Sequence, residues 1–143
     1  MPRLFLVGED MIIGIGTDIV EIDRVAKAIK GEAFVKRVFT PAEAEYCHSR
    51  KAGMAASFAG RFAAKEAIMK ALGTGLREGS LTELEIINDQ LGCPKVRLTG
   101  RFGEIAKEKD MISCHISISH SMAYATAQCV MEGQEQGKGE EKS

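Results

Sequence analysis

Phe58-Ala59-Gly60-Arg61-Phe62-Ala63-Ala64-Lys65-Glu66-Ala67-Ile68-Met69-Lys70-Ala71-Leu72-Gly73-Thr74-Gly75 joins a run of helix formers to a pair of closing glycines. Its alanines and straight-chain residues favour helix, and Gly73 is a natural helix stop. The pattern predicts a long helix from about Met54 to Leu72. Arg61, Lys65, Glu66 and Lys70 crowd that helix with charge. Glu66 and Lys70 stand one turn apart and so project from one face. A carboxylate beside an ammonium can hold a divalent cation and an anionic oxygen together. The plain alternative is an i,i+4 ion pair worth about 0.2–0.5 kcal/mol.

Working outward, residues 11–17 read as a strand interrupted by Gly14 and Gly16. Ile22, Val25 and Ile29 recur at helical spacing and predict an amphipathic helix ending near Gly31. Thr40-Pro41-Ala42-Glu43 is a helix start: Thr40 caps, Pro41 opens the first turn and Glu43 reaches back. That helix is expected to run to about Arg50. After the long helix, Leu84-Glu85-Ile86-Ile87 and Lys95-Val96-Arg97-Leu98 predict a hairpin. Thr99 opens a short helix to about Lys109, and two strands follow near Cys114–Ser119 and Tyr124–Met131. Strands and helices without a regular βαβ order predict an α+β fold.

The chain has 143 residues, of which 45% are apolar and 27% charged, which suits one ordinary globular domain. Residues 1–10 read as an N-terminal extension and 11–131 as the domain. Residues 132–143 read as a polar, disordered tail, because from Gly133 onward no apolar residue is available to bury. No apolar run reaches membrane-spanning length and no secretory pattern opens the chain, so a cytoplasmic location and no membrane partner are expected. A net charge of −1 gives no nucleic-acid footprint. Cys47, Cys93, Cys114 and Cys129 lack metal-ligand spacing and read as free thiols.

Asp18 supplies a second carboxylate, at the end of Gly14-Ile15-Gly16-Thr17. Two acids and a substrate phosphate suit magnesium (Mg2+), which prefers oxygen donors and takes few protein carboxylates. Gly14-Ile15-Gly16 also prompts a dinucleotide-binding reading, but Ile19 occupies the third glycine position and no βαβ unit follows. A non-enzymatic module docking acidic proteins through Arg24 and Lys27 leaves Asp18, Glu66 and Lys70 unexplained.

Taken together, G-I-G-T-D-I-V-E-I-D-R-V from Gly14, the Phe58–Gly75 stretch and His115-Ile116-Ser117-Ile118-Ser119-His120 resemble the signature segments of the holo-acyl-carrier-protein synthase family. These are short 4'-phosphopantetheinyl transferases. The resemblance covers about residues 11–131, with Ser119 where the family commonly has Thr. It implies a small antiparallel sheet packed with the long helix, and a homotrimer with active sites between subunits. It also implies Mg2+-dependent transfer of the 4'-phosphopantetheine arm of coenzyme A to a serine of apo acyl carrier protein, in support of fatty acid biosynthesis.

On that basis Asp18 and Glu66 are the candidate metal ligands, and Glu66 and Lys70 the catalytic pair. Whether Glu66 or a water it holds takes the serine proton is left open by the sequence. Arg61 and Lys65 either bind coenzyme A phosphates or coat the helix with charge, and guanidinium geometry favours Arg61. Gly73 and Gly75 allow close approach of an anion, although a helix stop explains Gly73 equally well. His115, Ser117 and Ser119 share one strand face; His115 and Ser117 are the candidate contacts there, and His120 is weaker. Arg24 and Lys27 point away from the apolar stripe and are expected to steer the acidic carrier.

Overall fold

A computed structural model describes residues 10–134 of the chain. Twelve of the nineteen residues of its longest helix are buried, so neighbours surround this helix on nearly every side. That explains its alanines, since small side chains let many elements approach one axis.

The order is β1 (Asp10–Glu21), α1 (Ile22–Ala28), α2 (Glu32–Val38), α3 (Pro41–His48), α4 (Met54–Leu72), β2 (Leu84–Asn88), β3 (Pro94–Leu98), α5 (Gly100–Glu108), β4 (Met111–His120) and β5 (Tyr124–Gln134). A three-stranded antiparallel sheet has the order β1-β5-β4, and β2 and β3 form a separate hairpin. The α+β expectation holds. The capping box forms as expected at Thr40 and Glu43, and Gly73 ends α4 in the left-handed conformation at φ 76°.

Gly14 and Gly16 have a packing role. A Cβ on Gly16 would overlap the carbonyl oxygen of Ala67, and one on Gly14 that of Ala71. The glycines let α4 lie directly on β1, backbone against backbone. Ala125, Ala127, Cys129 and Met131 of β5 cover the helix from the same side of the sheet.

Three boundaries differ from expectation. β1 continues to Glu21 because it pairs with β5 along its whole length. α2 had no prediction; its N-cap is Gly31, which offers no side-chain cap to read. The tail was drawn too early, because Glu132, Gly133 and Gln134 belong to β5, opposite Ile12, Met11 and Asp10. The rest of the proposed tail, and residues 1–9, lie outside the described residues.

Candidate active site

Along β1, Gly14, Gly16, Asp18 and Val20 are more enclosed than their neighbours, while Ile15, Thr17, Ile19 and Glu21 are exposed. The glycine contact with α4 therefore carries Asp18 toward the helix, where Glu66 and Lys70 stand. The Lys70 ammonium donates to Asp18 Oδ1 at 3.0 Å and to the Thr17 carbonyl at 2.9 Å. Among the described residues Lys70 forms an ion pair with Asp18, so the simple helical Glu66–Lys70 pair is not what this lysine makes.

Glu66 is partly buried. Burial first, and then the nearby charge of Asp18, raise its pKa above the ordinary carboxylate value; Lys70 opposes them. Glu66 thus senses the charge of Asp18, which is the condition a shared cation relieves. Hard oxygen donors on both sides suit magnesium. Among the described residues no group of three or more His, Cys, Asp or Glu side chains gathers around a metal position. A shallow cleft lined by Thr17, Asp18, Lys70, Thr126 and Gln128 opens beside the cluster.

Lys65 is corrected outright. It is fully buried, with its ammonium donating to Glu43 Oε1 at 2.8 Å and to the carbonyls of Leu81 and Leu84 at 2.9 Å each. All three protons are used inside the protein, leaving none for a phosphate. Glu43 is equally committed, since it also accepts from the backbone N–H groups of Thr40 and Ile86. The sequence presented Glu43 only as a cap residue; its link to a lysine 22 positions away has no local signal.

Arg61 is turned inward and only 6% exposed. It donates to Asn88 Oδ1 at 3.1 Å and lies 4.5 Å over the Tyr46 ring, with its Nε–H unpartnered. The Gly73 N–H closes the helix cap onto the Lys70 carbonyl at 3.1 Å, as a helix stop requires. Gly75 is extended, with nothing within 4 Å of where its Cβ would stand.

His115 and Ser117 are not brought to this cluster within one chain. They lie on the sheet face turned away from α4, two strands from β1. His115 Nε2 sits 2.9 Å from Glu132 Oε1 and 3.1 Å from Ser113 Oγ. Arg24 and Lys27 are exposed on α1. Arg24 lines a cleft with Ile19, Glu21, Phe34, Phe62 and Tyr124, adjoining the Asp18 end of β1.

A family model described as the 4'-phosphopantetheinyl transferase superfamily matches residues 14–129, spanning both Asp18 and the whole of α4. The chain belongs to this superfamily. A holo-(acyl-carrier-protein) synthase of Trichlorobacter lovleyi is 48% identical over 125 residues, covering 85% of this chain and 98% of that one. One of Fusobacterium nucleatum is 48% identical over 122 residues, covering 85% and 99%. Among solved structures, the Plasmodium yoelii acyl carrier protein synthase with ADP bound has a TM-score of 0.80 at 35% identity, covering 90% and 100%. The Helicobacter pylori holo-(acyl-carrier-protein) synthase in complex with coenzyme A has a TM-score of 0.72 at 33% identity, covering 82% and 98%. This transferase family is the one that the sequence segments resemble, and the chain's α+β fold is its fold.

Proposed function

We propose that the chain transfers the 4'-phosphopantetheine arm of coenzyme A to a serine of apo acyl carrier protein at the Asp18–Glu66–Lys70 cluster. Adenosine 3',5'-bisphosphate is the leaving product, and the transfer supports fatty acid biosynthesis. The observation that carries this reading is the meeting of two carboxylates and an ammonium where β1 lies on α4.

Asp18 and Glu66 would hold magnesium, which when bound polarises the phosphate oxygens and balances their charge. Lys70 is anchored on Asp18 and the Thr17 carbonyl yet remains 54% exposed, so its ammonium can also reach a diphosphate oxygen in the cleft. There it stabilises charge on the leaving side. Glu66 is also assigned to accept the serine proton, directly or through a water it holds. Arg61 and Gly75 remain contacts proposed for coenzyme A phosphates, Arg61 only if its enclosed side chain swings outward.

Arg24 and Lys27, with Lys36 and Arg37 exposed on the following helix, give a basic surface for an acidic carrier. The sheet face away from α4 presents Ile15 at 68% and Ile19 at 60% exposure. We assign this face to self-association as a homotrimer, which would carry His115 and Ser117 of one copy toward the cluster of another. Four free thiols accord with a reducing compartment, and we place the activity in the cytoplasm.

The test is to incubate the protein with magnesium, coenzyme A and an apo carrier protein, and then weigh the carrier. A gain of one phosphopantetheine arm, lost when the metal is chelated, is expected. An unchanged carrier mass would overturn the assignment.

A further inference from the structure

Two cysteines that the transfer reaction does not use face the helix side of the sheet. Cys114 on β4 pairs with Met131, and Cys129 on β5 pairs with Ile116, so the two cysteines are diagonal neighbours. Their sulfurs lie 3.6 Å apart, with both thiols free. Cys129 is sealed at 1% exposure. Cys114 is partly open and borders a cleft with Val96, Leu98, Lys107, Met111 and Ser113. One thiol is therefore reachable from solvent, with the other directly behind it.

We propose that Cys114 and Cys129 form a reversible disulfide driven by peroxide, a modification site distinct from the transfer cluster. The Cys114 thiolate attacks one peroxide oxygen; the O–O bond breaks, hydroxide leaves, and a sulfenic acid forms on Cys114. The Cys129 sulfur then attacks the Cys114 sulfur, breaking the S–O bond. Its proton leaves with that oxygen as water. Overall two thiols are oxidised to one disulfide while one hydrogen peroxide is reduced to two waters. A small dithiol reverses the reaction by exchange.

The order of attack follows from access: Cys114 is partly open, whereas Cys129 is enclosed behind it. The two thiols share a hydrogen bond in which either sulfur can donate. Lys107, exposed on the same cleft, adds positive charge on the approach side. Closure requires the sulfurs to move from 3.6 Å to bonding distance, about 2.05 Å. β4 has slack for this movement: it is an outer strand of the three-stranded sheet, and its register slips between Met111 and Ser113, immediately before Cys114.

Cys129 also pairs with Gly16 on β1, and Gly16 is the residue pressed against the Ala67 carbonyl. Drawing β5 toward β4 at Cys129 disturbs the contact that holds Asp18 beside Glu66. This second step rests on the proposed transfer site, whereas the thiol chemistry does not.

The experiment uses the full chain carrying Cys93→Ser, which removes the exposed thiol in the β2–β3 turn. Reduced protein is titrated with hydrogen peroxide and examined by intact mass and peptide mapping. The expected product has lost two hydrogens, joins the Cys114 and Cys129 peptides, and reverts with dithiothreitol. In Cys129→Ala, which matches the alanines already at 125 and 127 on that strand face, peroxide instead adds oxygen to Cys114. Oxygen addition to Cys114 with Cys129 still present, or two thiols that both stay alkylatable, would overturn the proposal. Transfer by the oxidised protein should be severalfold slower and recover with dithiothreitol; an equal rate would overturn the coupling to the site. Absence of transfer in the reduced protein would instead count against the proposed function, leaving the mass result to stand alone.

Discussion

Gly16 and Ala67 touch through their backbones, and this contact fixes the distance between the strand bearing Asp18 and the helix bearing Glu66. A methyl group at position 16 has no flexible side chain to push aside, because the obstacle is the Ala67 carbonyl itself. Gly16→Ala should therefore cost about 1–3 kcal/mol, the usual range for overpacking a tight core. It should also lower transfer more than the stability loss explains, since the two carboxylates are levered apart. Thermal unfolding and a transfer assay well below the melting point check this together. Full transfer in a destabilised protein would show that the contact serves packing alone.

Within the cluster itself, Asp18→Asn keeps an oxygen for Lys70 but removes the negative charge that pairs with it and helps raise the pKa of Glu66. Glu66→Gln removes the proposed base and one proposed metal oxygen. Each should abolish transfer, with the melting temperature and circular dichroism nearly unchanged, because neither side chain belongs to the core. Transfer surviving in both variants would contradict the site.

The buried pair of Lys65 and Glu43 predicts a different pattern. Glu43→Gln leaves the Lys65 ammonium enclosed without its counter-charge, and breaking such a pair costs about 3–5 kcal/mol. Burial already lowers the Lys65 pKa, while Glu43 acts to raise it. Removing Glu43 therefore lowers it further. Below the ordinary lysine value, about 10.4, the unfolded state then binds more protons than the folded state. Stability of the variant should accordingly rise with pH toward that value. Urea melts from neutral to alkaline pH measure this; a variant whose deficit is independent of pH would mean that Lys65 has found another counter-charge.

Much of this architecture was legible because its signals are local. Thr40 with Glu43 announced α3, Gly73 announced the end of α4, and the spacing of Ile22 and Val25 announced α1. That Asp18, Glu66 and Lys70 belong together was legible through their segments. The fate of Lys65 was not, because its three acceptors come from α3 and from the chain leading into β2, all distant in sequence. The use of Gly14 and Gly16 was hidden for a similar reason: a glycine marks a close approach without saying what approaches. α2 escaped because its start lacks a side-chain cap.

Thr40 has two roles, and its removal should show both. Its hydroxyl accepts from the Glu43 N–H at 3.2 Å and donates to Glu85 Oε2 at 2.6 Å, tying α3 to β2. Thr40→Ala should cost about 0.5–2 kcal/mol, as for other lost N-caps. Thr40→Ser keeps the hydroxyl and should recover most of it. Equal losses in the two variants would place the effect in the methyl group.

The outer face of the sheet gives the prediction that joins assembly to chemistry. Its rungs run Ile15–Val130–His115, Thr17–Gln128–Ser117 and Ile19–Thr126–Ser119 across β1, β5 and β4. The β1 side is apolar at Ile15 and Ile19, and the β4 side is polar. A sheet with one face on α4 and large apolar residues bare on the other is poorly suited to remain alone in water. Ile15→Asp places a charge in the middle of that face without touching Asp18, Glu66 or Lys70. If the face joins copies into a trimer, sedimentation of the variant should give a folded monomer. Transfer should fall with it if, as proposed, His115 and Ser117 reach the cluster of a neighbouring copy. A monomeric variant with full activity would separate assembly from catalysis, and an unchanged oligomer would place the interface elsewhere.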